Sequence, residues 1–161
     1  MLKRSIGGLI AALAMMVGVE AFAQGTATGN LAVSATVTST CSITASTLGF
    51  GNYNGTAIGA TAATFTVNCN VAESFAVNLD GGLQKVGTLR YMSNIGGGTD
   101  LAYQLWTDSL ATDEWSIDET VSSIACVASG CTIGLWGTVA GSQTGLMQGP
   151  YTDTVAISIV Y

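Results

Sequence analysis

Asn30-Leu31-Ala32-Val33-Ser34-Ala35-Thr36-Val37-Thr38 is the stretch on which the reading of this chain turns. Leu31, Val33, Ala35 and Val37 share one parity, and Asn30, Ala32, Ser34 and Thr36 the other, which is the period of a β-strand with one apolar face. A flexible lead, residues 24–29, comes before it and Cys41 comes shortly after. The stretch is therefore free to pair either with its own domain or with another chain, and the function depends on which.

Upstream, Lys3 and Arg4 precede an apolar run of 14 residues, 6–19, which ends in Ala21-Phe22-Ala23. A basic start, a short apolar centre and a small-x-small end predict a secretory signal peptide, residues 1–23, cut after Ala23. The run is too short for a membrane-spanning helix, which needs roughly 20 residues. Cleavage leaves 138 residues, enough for one domain with a substantial core. The expected organisation is a signal peptide over 1–23, an N-terminal arm over 24–40 and one domain over 41–161.

Lys85 and Arg90 are the two basic residues after position 23, against nine acidic ones, a formal charge of −7. Nucleic acid is excluded as a partner, because phosphate binding needs clustered Lys and Arg. Charged residues make up only 9% of the chain, so its surface depends on hydroxyls and amides for solubility. Such a surface suits packing against copies of itself.

Four cysteines in an exported chain imply disulfides. Of the three possible pairings the simplest joins Cys41 to Cys69, on two strand-like segments, and Cys126 to Cys131, across a short Val-Ala-Ser-Gly loop. Metal binding is disfavoured: the chain has no histidine and neither pair has CxxC spacing. Closing the loop between Cys41 and Cys69 contributes about 3 kcal/mol on the loop-entropy model.

Beyond Cys41 the chain reads as short strands divided by Gly, Asn and Asp turns, with no helical period longer than a turn or two. Residues 64–69 put Phe65, Val67 and Cys69 on one face, and residues 74–79 put Phe75, Val77 and Leu79 inward. Asp80-Gly81-Gly82 then predicts a hairpin turn. Leu89-Arg90-Tyr91-Met92 reads as a short edge strand. Residues 101–107 set Leu101, Tyr103 and Leu105 against Ala102, Gln104 and Trp106, and residues 132–139 and 152–161 complete the set. Count and spacing predict an all-β fold, a sandwich. In the closing strand Val155, Ile157, Ile159 and Tyr161 form an apolar face up to the final residue, so its outer edge is expected to lack a neighbour.

Several of these segments together resemble a known family. They are Leu48-Gly-Phe50-Gly, Phe65-Thr-Val-Asn-Cys69, Val77-Asn-Leu-Asp-Gly-Gly82, Leu89-Arg-Tyr-Met92, Leu101-Ala-Tyr-Gln-Leu-Trp-Thr-Asp108, Trp115, and Gly149-Pro-Tyr-Thr-Asp153-Thr with its alternating tail. The chain resembles the spore coat protein U domain family, which contains the pilin subunits of archaic chaperone-usher pili. The Gly-x-Tyr-Thr-Asp-Thr ending carries most of the specificity; Cys126 and Cys131 have no counterpart in the family's common pattern.

The resemblance implies an incomplete immunoglobulin-like β-sandwich, lacking its last strand and completed by a donor strand. A periplasmic chaperone first lends a strand, and an outer-membrane usher then exchanges it for the arm of another subunit, a form of strand addition. Leu31, Val33, Ala35 and Val37 would be the donor side chains, and Val155, Ile157, Ile159 and Tyr161 would border the acceptor groove. The Tyr161 carboxylate would be a handle for basic chaperone residues. The implied product is a surface pilus or coat, with copies of the same chain or related pilins as partners. No cofactor and no small-molecule substrate are implied, and a single domain with its own arm suits a shaft or adaptor subunit. Two other readings stand beside this one: a secreted coat or matrix protein that completes its fold with its own arm, and a small carbohydrate-binding module.

A Ser-His-Asp or Cys-His centre cannot be built without histidine. Asp108, Asp113, Glu114, Asp118 and Glu119 cluster around Trp115, but their spacing fits no calcium-loop signature and reads as a solvated loop. Trp106, Trp115 and Trp136 would form a sugar-stacking platform if they were exposed, although on alternating strands they fit packing better.

Overall fold

The computed structural model describes residues 25–117, 120–126 and 130–161. The signal-peptide reading of 1–23, Asp118 and Glu119 lie outside these, as does the side chain of Cys126. The chain divides into two units, residues 1–36 and 37–161. In the first, residues 25–36 carry no regular secondary structure, and Leu31 and Val33 are 87% and 85% exposed. Alternation gives a segment a strand's faces, but a strand exists only where a ladder of backbone hydrogen bonds accepts it. The expected strand over 30–38 is thus absent from the described chain.

The second unit is built from nine strands: β1 (Cys41–Ala45), β2 (Ile58–Cys69), β3 (Glu73–Leu79), β4 (Arg90–Asn94), β5 (Leu101–Trp106), β6 (Thr120–Cys126), β7 (Cys131–Val139), β8 (Tyr151–Thr152) and β9 (Ile157–Val160). Six form one sheet in the order β1-β2-β7-β5-β4-β8, and three form another in the order β6-β3-β9. The result is an all-β, immunoglobulin-like sandwich. Between the sheets lie Phe65 and Val67 of β2, Phe75, Val77 and Leu79 of β3, and Leu101, Tyr103 and Leu105 of β5, all buried and all on the parity read from the sequence. Trp115 is 1% exposed and packs its ring against Phe65 at 6.1 Å. It is a core residue, so it offers no face to a sugar from solvent.

Cys41 is the first residue of β1. β1 lies antiparallel to β2 with Cys41 directly opposite Cys69, and the two are bridged at an S–S distance of 2.04 Å. Cys131 is also disulfide-bonded.

Three other expectations change for one physical reason: the chain moves between sheets where a hairpin had been expected. After β3 the next strand, β4, joins the other sheet, so Asp80-Gly81-Gly82 is a crossover and not a hairpin turn. Gly82 is required there on two counts, since its φ is +74° and a Cβ would collide with the Asp153 carboxylate. β4 is not an edge strand; it pairs with β5 on one side and β8 on the other. The expected single strand over 152–161 is split in two, with β8 in the six-stranded sheet and β9 in the three-stranded one.

Arg90 makes the crossover possible. It is 2% exposed, and its Nε donates to the Asp80 carbonyl (2.9 Å), Nη1 to the Trp115 carbonyl (2.7 Å) and Nη2 to the Leu79 carbonyl (3.3 Å). A buried guanidinium is tolerated only when its donors are so engaged.

Removing the Trp115 ring should leave a large cavity, so Trp115→Ala is expected to cost about 3–5 kcal/mol in urea denaturation. Trp115→Phe should cost clearly less, because it deletes an indole N–H that has no acceptor among the described residues. Peptide mapping without reductant should recover the Cys41 and Cys69 peptides linked.

Candidate functional site

β9 pairs antiparallel with β3 on one side, Ile157 opposite Leu79 and Val160 opposite Ala76, and no described strand lies on its other side. In the facing sheet β1 is likewise an edge, pairing with β2 alone. Ala45 at the end of β1 and Ile157 at the start of β9 line one apolar opening, so these two edges border the same seam of the sandwich.

The opening is a cleft of ≈ 410 Å³. Ala45, Leu48 and Phe50 form one wall, Tyr151, Val155 and Ile157 the other, and Leu79, Tyr103, Leu105 and Leu135 the floor. Phe50 and Tyr103 meet across it with ring centroids 5.9 Å apart. Past Leu48 and Phe50 the cleft continues into a wider one of ≈ 790 Å³, reaching Tyr53, Ile58, Met92 and Leu101 between residues 49–53 and 146–150.

The residues expected to border the groove take different places. Val155, Ile157 and Ile159 are half-buried against the core while Thr154, Ala156, Ser158 and Val160 face out. Val155 and Ile157 line the cleft itself. Tyr161 lies beyond the end of β9, about half exposed, and its hydroxyl accepts a hydrogen bond from the Cys41 N–H (3.4 Å). At that end the two edges are therefore drawn together, whereas at the Tyr151 end they stand apart. Of the other proposed group, Leu31, Val33, Ala35 and Val37 are all exposed, Val37 to 74%.

Two carboxylates that the sequence reading passed over hold the wall in place. Asp80 Oδ1 accepts from the N–H groups of Gly82 (2.9 Å) and Ala156 (2.8 Å), and the Asp80 N–H donates to the Ala156 carbonyl (3.1 Å). Asp153 Oδ1 accepts from the N–H groups of Leu83 and Thr154 (2.8 Å each), and its Oδ2 accepts from the Tyr103 hydroxyl (2.6 Å). Together they engage the Thr154 N–H and the N–H and carbonyl of Ala156, where the chain leaves one sheet for the other. A signal was present in the sequence: Asp153 shares the inward parity of Tyr151 and Val155, and a charge at an inward position needs partners.

The acidic segment serves its own loop. Asp108 accepts from the Thr112 N–H (2.9 Å) and hydroxyl, which hold its carboxyl below the usual range, and Asp113 accepts from the Thr107 hydroxyl (2.8 Å). Trp106 and Trp136 are cross-strand neighbours on the outer face of the larger sheet, the first donating from Nε1 to the Thr138 hydroxyl (2.9 Å).

The model of the Spore Coat Protein U domain matches residues 27–158. Among solved structures the chain is similar to a chain of the CsuC–CsuE chaperone–tip adhesion subunit pre-assembly complex from archaic chaperone-usher Csu pili of Acinetobacter baumannii. That match has a TM-score of 0.61 at 22% identity and covers 78% of this chain and 40% of the other. It is also similar to the antigen and type I fimbria protein BPSL1626 of Burkholderia pseudomallei, with a TM-score of 0.51 at 15% identity, covering 77% of this chain and all of that one. At these identities the likeness is one of fold. The chain thus spans about 40% of the first of these. No curated protein matches it.

Burial raises the Tyr103 hydroxyl above its ordinary value of 10.0, and the hydrogen bond to Asp153 raises it further. The folded chain then keeps a proton that the unfolded chain releases, so this contribution is intact below about pH 10 and is lost as pH climbs above it. Tyr103→Phe should flatten the part of the alkaline stability decline that begins near pH 10; an unchanged profile would mean that other groups cause it.

Proposed function

The chain belongs to the Spore Coat Protein U domain family, and on that footing we propose that it is a structural, non-catalytic subunit of an extracellular chaperone-usher fibre that polymerises by donor-strand exchange. The observation that carries this reading is the open seam between β1 and β9 in a chain whose other end offers an exposed alternating arm. The resident partners are a periplasmic chaperone, an outer-membrane usher and copies of this chain or related pilins. The route is through the periplasm to the cell surface, where such a fibre supports attachment or biofilm formation.

The physical fit is straightforward. A strand added beside β9 would extend the β6-β3-β9 sheet by one, pair the free backbone of β9 and cover the half-buried Val155 and Ile157 at the cleft. Leu31 to Val37 covers six residue steps, about 20 Å of extended chain. Burying Leu31, Val33 and Val37 is worth about 1.5–3 kcal/mol each. Ala35, with a single methyl group, adds less.

Val33→Asp should leave the chaperone-bound subunit intact and block joining between subunits, because a carboxylate would enter an apolar groove. Deleting residues 24–40 should abolish heat-resistant ladders on detergent gels, and a peptide of the arm should bind the armless domain. A stable monomer with its arm seated in its own groove would replace the fibre by the self-complementing coat protein.

A further inference from the structure

Asn70, just past the end of β2, grips the chain immediately ahead of β1. Its Oδ1 accepts from the Thr40 N–H (2.8 Å), its Nδ2 donates to the Thr38 carbonyl (2.9 Å), and its backbone N–H donates to the Thr40 carbonyl (3.0 Å). One residue later Cys41 is bridged to Cys69, the neighbour of Asn70. A single carboxamide thus uses its acceptor and one of its donors on backbone two residues apart, which fixes the path of residues 38–40. The next residue back is Val37, the last apolar position of the arm.

A consequence follows for the joint between subunits, resting on the donor-strand reading above. If Val37 enters the groove of a neighbour while Thr38 is held against its own domain, a single peptide unit of about 3.8 Å separates the two domains. No flexible linker remains to keep them apart. The domains must touch at the point where the arm emerges.

Which end of the neighbour's groove takes part is also determined. The end at Tyr161 is occupied by that subunit's own root, since the Cys41 N–H bonds the Tyr161 hydroxyl there and residues 38–40 are clamped beside it. The opposite end, between residues 49–53 and 146–150, is wide and open. A donor must leave through this open end, and so runs antiparallel to β9.

We propose that the rim of this open end forms a second contact between consecutive subunits, and that Asn70 is the residue that positions it. Met147 stands on the rim half exposed, a flexible apolar side chain suited to an irregular partner. The facing surface on the donor's domain is a shallow depression formed by Thr40, Ser42, Asn68 and Asn70 around the Cys41–Cys69 bridge. The occupant of that depression is a second copy of this chain, presenting residues 146–150.

The test is photo-crosslinking in assembled full-length fibres, with a photoreactive residue at position 147. Crosslinks should join it to peptides of the adjoining subunit that carry residues 38–42 or 68–70. Crosslinks to peptides near Tyr161, or none between subunits in fibres that do assemble, would overturn the contact. Asn70→Ala should still give heat-resistant ladders, because the arm and groove are untouched, while the crosslink yield falls several-fold and the angle between consecutive domains broadens in electron micrographs. Asn70→Asp, which keeps an acceptor for the Thr40 N–H, should recover part of the yield. An unchanged yield in Asn70→Ala would remove Asn70 as the positioning residue. Absence of any ladder from the unaltered chain would instead overturn the donor-strand reading itself.

Discussion

Every backbone N–H and C=O in a sheet needs a partner, and an edge strand holds a row without one. In this sandwich two such edges, β1 and β9, border the same seam, and the apolar floor between them is open. Edges elsewhere can be solvated at little cost. An edge whose half-buried Val155 and Ile157 also border an apolar cleft leaves hydrogen bonds unmade and apolar side chains partly uncovered at once, so a single added strand satisfies both.

The groove keeps its shape because polar groups hold the one place where its wall would otherwise have no ladder. Between β8 and β9 the chain crosses from one sheet to the other, and there Asp153 and Asp80 supply acceptors for the N–H groups of Thr154 and Ala156. Arg90 then ties Asp80 to the carbonyls of Leu79 and Trp115, so the wall is continuous with the core through a chain of hydrogen bonds. Buried charge is costly, and this cluster is tolerated because each nitrogen of the Arg90 guanidinium and both Asp153 oxygens have local partners.

The far end of the domain is built on the opposite principle. There a covalent bridge and one carboxamide fix the chain within a few residues, and the arm begins without slack. One end of the groove is sealed by this root and by Tyr161, and the other is open.

What the sequence determined by itself was the inward face of each strand. The parity of Phe65 and Val67, of Phe75, Val77 and Leu79, and of Leu101, Tyr103 and Leu105 depends only on the two-residue period of an extended chain, which is a local property. The closing alternation was legible on the same basis, while the family resemblance rested on motifs, above all Gly149-Pro-Tyr-Thr-Asp153-Thr. Which sheet each strand joins was decided by tertiary structure alone, because alternation names a face and not a neighbour. Asp80-Gly81-Gly82 therefore looked like a hairpin, residues 152–161 looked like one strand, and β4 looked like an edge. The groove itself needed contacts between residues far apart in the chain: Asp80 with Ala156, Asp153 with Leu83, Phe50 with Tyr103. No window of sequence contains such a pair, and so the face of each strand could be read from the chain while the cleft could not.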